Sequence, residues 1–257
     1  MEAVLKAEVL RDLVNALSVI SETVKLEFEK DKVTVKCTDK AHVSMVTLSL
    51  SSEVFSQYET SNEGDICIDL TKMKDILKLA NVGDELRIVT KDGKMVVKFG
   101  RLRRSMSLVK AEVPNKIPKL TLPCSVVIPV EKFKTALMAC QTISDAVELS
   151  IGEDNFSVKA DNGTDDVEAS YPKDKVVEMT CARDLTLSGE KGEPRFKDLV
   201  VKSNYSLEYL QNILRGIPAD VETIKIEFGR DYPARVSFKF ANEKGEAFYF
   251  VAPRIET

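Results

Sequence analysis

Apolar positions along this chain alternate between a helical and an extended period, and the alternation is played through twice. Val9, Leu10, Leu13, Val14, Ala16, Leu17 and Ile20 lie on one stripe of a 3.6-residue repeat, with Arg11, Asp12, Asn15 and Ser18 opposite; this predicts an amphipathic helix over residues 8–20, after a short strand at 2–6. Period-two alternation follows at 24–29, 32–38 and 42–50, as in strands buried on one face. A polar stretch at 59–64 precedes a strand at 65–70 and a second helix reaching Ala80, capped by Asp69 or Thr71. That helix turns Met73, Ile76, Leu77 and Ala80 inward and Lys74 and Lys78 outward. Strands at 85–90 and 94–99 flank Asp92-Gly93, a pair suited to the positive φ angles of a tight hairpin, and 101–109 is the last strand of this half.

Residues 20–39 (ISETVKLEFEKDKVTVKCTD) align without a gap to residues 143–162 (ISDAVELSIGEDNFSVKADN) at an offset of 123, and Leu10, Val14 and Ala16 match Phe133, Leu137 and Ala139 at the same offset. Solenoid repeats are typically about 20–50 residues long, so this spacing indicates duplicated domains. The second half accordingly predicts a strand at 126–130, a helix at 131–143, strands at 147–151, 155–160 and 165–171, and further strands within 176–180, 185–188 and 199–202 around a polar loop at 189–194. A helix on Leu207, Leu210, Ile213 and Leu214 and strands at 223–228, 234–240 and 247–251 complete it. Pro114, Pro118 and Pro123 stiffen the segment between the halves, which divides the chain into 1–109, a connector at 110–123, and 124–257. The expected fold is α+β, two duplicated domains, each with two helices packed on antiparallel sheets.

Composition narrows the functional classes. With 44% apolar and 30% charged residues among 257, the chain has the make-up of an ordinary soluble globular protein. No run is long and apolar enough for a membrane span, and the charged start MEAVLKAEVL is unlike a signal peptide, so a cytoplasmic, nucleoid-associated location is expected. The five cysteines, Cys37, Cys67, Cys124, Cys140 and Cys181, form no C-x-x-C pair, and a single histidine disfavours zinc; Cys37, Cys67 and Cys140 read as small buried hydrophobes. Phosphate-loop, dinucleotide and nucleophile-elbow motifs are absent. A hydrolase would have to use His42 with an acidic cluster, and His42 reads better as a structural or interface residue. Asp161, Asp165 and Asp166 lack the spacing of a calcium loop and read as a solvated turn and strand edge. No catalytic residue, metal or cofactor is expected. The net charge of −4 argues against a chain that coats nucleic acid with its whole surface, but leaves room for a locally basic face.

Two strands carry opposite charge. Arg101, Arg103 and Arg104, followed by Lys110, mark the strand before the connector, whereas Asp165, Asp166 and Glu168 mark the strand around Val167. If both lie at sheet edges, their charges favour edge-to-edge pairing between subunits, a heterologous contact that closes into a ring or propagates as a filament.

The motifs D-x-x-H-V-S-M-V at 39–46, L-T-K-M-K-D-I-L-K at 70–78, S-N-Y-S-L-E-Y-L at 203–210 and the tail A-P-R-I-E at 252–256, with the proline connector between similar halves, resemble the proliferating cell nuclear antigen type of DNA sliding clamp, the archaeal branch above all. The resemblance implies a ring-shaped trimer whose helices face duplex DNA, here through Arg11, Lys72, Lys74, Lys78, Lys134 and Arg215. It further implies an apolar pocket for Gln-x-x-aliphatic-x-x-aromatic-aromatic peptides, formed by His42, Val43, Met45, Ile117, Leu120, Pro233, Phe250, Ala252, Pro253, Arg254 and Ile255. The implied partners are a replicative DNA polymerase, a clamp-loader ATPase, a flap endonuclease and a DNA ligase. A subunit of a heterotrimeric or checkpoint-type clamp is the related alternative. Residues 173–202 are longer than the eukaryotic pattern of this family.

Overall fold

The computed structural model describes residues 1–59, 65–110, 117, 120–181 and 200–255. The polar stretch at 60–64, most of the connector with Pro114 and Pro118, the expected strand at 185–188, the loop at 189–194 and Glu256 lie outside the described residues. The chain divides into two compact units: residues 1–117 with 215–220 and 238–248, and residues 118–214 with 221–237 and 249–257.

In the first unit β1 (Glu2–Lys6) leads directly into α1 (Ala7–Ser18), followed by β2 (Thr23–Phe28), β3 (Lys32–Thr38), β4 (Ser44–Ser51), β5 (Phe55–Glu59), β6 (Asp65–Asp69), α2 (Leu70–Leu77), β7 (Glu85–Lys91), β8 (Lys94–Phe99) and β9 (Leu102–Ser107). One sheet has the order β5-β1-β7-β8-β9, and an antiparallel ladder runs β4-β3-β2-β6. Alternation along the strands sends Val24, Leu26, Val33, Val35, Val46 and Leu48 inward to meet Leu10, Leu13, Val14 and Leu17 of α1 and Met73, Ile76 and Leu77 of α2 in the buried core.

The second half of the sequence repeats this programme with β10 (Cys124–Pro129), α3 (Val130–Gln141), β11 (Ala146–Ile151), β12 (Asn155–Asp161), β13 (Asp166–Pro172), β14 (Glu178–Cys181), β15 (Val201–Ser206), α4 (Leu207–Gly216), β16 (Thr223–Phe228), β17 (Ala234–Phe240) and β18 (Gly245–Val251), to which a two-residue β19 (Pro253–Arg254) is added. Pairings repeat with it: β10 lies between β14 and β16 as β1 lies between β5 and β7, and β13-β12-β11-β15 mirrors β4-β3-β2-β6. Even helix starts are copied. The first N–H of each helix has no partner within its own helix. Ala7 and Val130 donate theirs to the carbonyls of Asp84 and Glu222 (2.8 and 2.9 Å), and Leu70 and Leu207 theirs to Glu22 and Asp145 (2.8 and 2.9 Å).

Counterpart starts are offset by 123 at the first helix (Ala7, Val130) and still by 123 at Phe55 and Glu178, but by 137 at the second helix (Leu70, Leu207). The 14 extra residues of the second half therefore enter between β14 and β15.

Local departures from expectation have physical causes. The helices end earlier than the apolar stripes, α1 at Ser18 and α2 at Leu77, because the last apolar residues pack from the turn beyond each helix. Asp69 caps α2, its side chain accepting from Lys72 N–H (3.0 Å). Asp92 and Gly93 have φ of 52° and 70°, as the hairpin signal requires. His42 is outside β4, in a turn with φ of 56°. Strand β5 had no sequence signal; Tyr58 holds it by donating its hydroxyl to the carbonyls of Glu29 (2.6 Å) and Lys32 (2.9 Å) in the β2–β3 turn. Cys124 and Cys181, directly opposite in the β10–β14 ladder, form a disulfide, leaving Cys37, Cys67 and Cys140 free. Between β17 and β18, Ala241, Asn242 and Glu243 all adopt positive φ (51°, 55° and 64°).

Candidate interaction surfaces

The six cations expected to face nucleic acid sit on or beside the four helices, in unlike surroundings. Arg11 is half-buried, and its Nη2 donates to the carbonyls of Leu77 (3.1 Å) and Ala80 (2.9 Å). Those carbonyls belong to the end of α2, where the helix supplies no donors, so Arg11 caps α2 and ties it to α1. Lys72 lies 3.4 Å from Asp69, Lys78 3.1 Å from Asp75 and Lys134 3.3 Å from Glu131, each pair three residues apart. Lys74 makes no ion pair among the described residues, and Arg215 is exposed in the last turn of α4. Burial, and then the neighbouring Asp220 carboxylate, push the Asp12 carboxyl up to about 6 on the same side of α1 as Arg11. Three of the six, Lys72, Lys78 and Lys134, are thus softened by a nearby carboxylate. Point charges of this kind suit non-specific contact with phosphates.

Both strands of opposite charge are edges. β9 ends its sheet, with β8 as its only neighbour among the described residues; Arg103 is exposed opposite Lys98, and Arg104 is half-exposed opposite Val97. Arg101 stands exposed just before it. At the end of its own sheet, β13 projects Asp166 and Glu168 outward, with Glu168 opposite Lys159. Asp165 lies one residue before the strand, its N–H bonded to Asn162 Oδ1 (2.8 Å). The two sequence-derived charge runs thus mark two open backbone edges.

Of the expected pocket residues in the first unit, His42, Val43 and Met45 surround the β3–β4 turn. Asp39 builds this turn: its carboxylate accepts from the N–H groups of Ala41 (3.0 Å) and Ser44 (2.7 Å), and its carbonyl accepts from His42 (3.1 Å). The result is a left-handed His42 with its imidazole exposed, a strained position of the kind found where a loop is shaped for contact. Ile117 is 39% exposed.

In the second unit Leu120, Pro233, Ala252 and Pro253 are half-exposed and Ile255 is exposed, whereas Phe250 is buried and belongs to the core. Strand β15 organises this group. The buried Tyr205 donates its hydroxyl to the Tyr232 carbonyl (2.8 Å) beside Pro233, and its backbone pairs with Pro253. Burial pushes the Tyr205 phenol up to about 12, so it remains a donor across the physiological range. Tyr232, 54% exposed beside Pro233, is an apolar member of this surface that sequence reasoning missed; its place next to a proline turn was the only signal.

Comparison with known proteins bears on the whole chain. Residues 1–110 match the family model "Proliferating cell nuclear antigen, N-terminal domain". Proteins named DNA polymerase sliding clamp from Methanosarcina acetivorans and Methanothrix thermoacetophila are 30% and 31% identical, each alignment covering 100% of this chain and 99% of the relative. The fold matches that of A. fulgidus PCNA solved with the C-terminal region of FEN-1 (TM-score 0.85, 23% identity, covering 100% of this chain and 99% of that one). It also matches a chain of the PCNA2–PCNA3 complex from Sulfolobus tokodaii (TM-score 0.80, 18% identity, full coverage of both).

Proposed function

Because the chain belongs to the proliferating cell nuclear antigen family of DNA polymerase sliding clamps, we propose that it is the processivity factor of an archaeal-type replication system, assembling as a closed ring of three subunits around duplex DNA. The observation that carries this reading is the presence, on one chain, of a cationic open edge at β9 and an acidic open edge at β13, which favours head-to-tail joining of copies. Topology then does the work of affinity: weak phosphate contacts from Lys72, Lys74, Lys78, Lys134 and Arg215 suffice when dissociation requires opening a ring. Arg11 contributes mainly by fixing α1 against α2. Such a function needs no bond chemistry, and a separate ATPase supplies the work of loading.

Partners bind as short peptides to the surface carrying Leu120, Pro233, Ala252, Pro253, Arg254 and Ile255; a flap endonuclease, DNA ligase and the polymerase itself are the classes expected. A tethered polymerase is held at high effective concentration near the primer end. The test combines solution mass with extension of primed circular DNA by an archaeal replicative polymerase. A mass of three protomers together with longer products in the presence of a loader is expected. A monomer that leaves product length unchanged overturns the reading, and trimer formation only on mixing with a second clamp chain replaces it with a heterotrimer subunit.

A further inference from the structure

Asp145 stands in the turn between α3 and β11 and does two separate things. Its carbonyl accepts the first N–H of α4, from Leu207 (2.9 Å), the same task that Glu22 performs for α2 in the other half. Its carboxylate has a role with no counterpart there: Oδ1 and Oδ2 accept from Nη1 and Nη2 of Arg254, both at 2.8 Å, whereas Glu22 makes no ion pair among the described residues. Arg254 belongs to β19, whose two residues pair with Asn204 and Tyr205 of β15. A strand this short is poorly held by its ladder, and Pro253 has no N–H to donate. The two parallel charge-assisted bonds therefore add a side-chain restraint to the tail where it leaves the sheet, immediately before the exposed Ile255.

We propose that Asp145 is a positioning residue for partner binding: its forked pair with Arg254 holds residues 253–255 in the conformation that receives a partner peptide. The proposal rests on the reading of this tail as part of the peptide surface. Exposed ion pairs are ordinarily weak, and this one is open to solvent on the Asp145 side, at 83% exposure. Here the pair restrains a segment whose ladder is two residues long, so ordering that segment before the peptide arrives lowers the entropy lost on binding.

The experiment measures affinity for a synthetic Gln-x-x-aliphatic-x-x-aromatic-aromatic peptide, thermal midpoint and hydrogen exchange of the Arg254 amide on the intact protein. Asp145→Ala keeps the carbonyl that caps α4; it is expected to leave the midpoint unchanged, quicken Arg254 exchange and weaken the peptide about five-fold. Asp145→Glu and the exchanged pair Asp145→Arg with Arg254→Asp should recover affinity to within about two-fold of wild type, and added salt should weaken the wild type more than Asp145→Ala. Unchanged affinity in Asp145→Ala, with affinity lost in Ile255→Ser, overturns the positioning role while the tail surface stands. Loss of affinity together with a lowered midpoint, unrelieved by the exchanged pair, makes Asp145 purely structural. A wild-type protein that fails to bind the peptide at millimolar concentration overturns the tail reading and the proposal with it.

Discussion

Single residues in this chain separate charge that stabilises from charge that costs. Glu227 is 7% exposed and receives two 2.7 Å bonds from Arg235, directly opposite it in the β16–β17 ladder. Burial alone would raise its carboxyl pKa, but the bonds and charge of Arg235 together with the Lys225 ammonium, 3.3 Å away, outweigh this and hold it below the ordinary range. A depressed folded pKa means that this stabilisation is complete above the unfolded value, about 4.3, and fades as pH falls through the folded one. Arg235→Ala, which leaves the buried carboxylate with Lys225 as its remaining charged partner among the described residues, should cost about 2 kcal/mol at pH 7, measured by denaturant unfolding, with the deficit shrinking in acid. Asp12 has the opposite sign. Its folded pKa of about 6 lies above the unfolded value of about 3.9, so stability falls as pH climbs between them and the penalty remains at higher pH. Asp12→Asn should therefore stabilise the protein at pH 8 by about 1 kcal/mol, after discounting for solvent screening, and give no gain near pH 4.

At the scale of elements, the β17–β18 turn is the most constrained piece of backbone. Three successive residues without glycine's freedom occupy the left-handed region, while Gly245 after them has no space for a side chain, an added Cβ falling 2.5 Å from the Phe240 ring. Ala241→Gly should raise stability by about 1 kcal/mol and Gly245→Ala should lower it, both read as a shift in denaturation midpoint at constant slope. Elements with a strong period were legible in the sequence: α1 and α3 from their apolar stripes, β2 and β3 and their copies β11 and β12 from alternation and the ungapped repeat. Strand β5 was not, because Phe55-Ser-Gln-Tyr is short, and its anchor is a hydroxyl reaching a distant turn. Contacts joining remote positions were equally hidden: the Cys124–Cys181 bond spans 57 residues and the Asp145–Arg254 pair 109. Arg11 shows a different limit. A cation on the polar side of a helix looks the same in sequence whether it meets a phosphate or, as here, the carbonyl end of the neighbouring helix.

For the whole molecule, charge on the two open edges is the property that composition concealed, since a net charge of −4 averages a cationic margin with an acidic one. Arg103→Glu with Arg104→Glu should weaken self-association at least about ten-fold, and adding Asp166→Lys with Glu168→Lys to the same chain should restore it, read by light scattering on dilution. Self-association unchanged by the first pair of substitutions would dissociate these edges from assembly. Because the edges are unlike, copies joined through them all point the same way around the circle. In the proposed ring no two-fold axis then exchanges the two sides, which therefore differ. In such a ring, a partner that recognises one side is thereby distinguished from a partner that recognises the other.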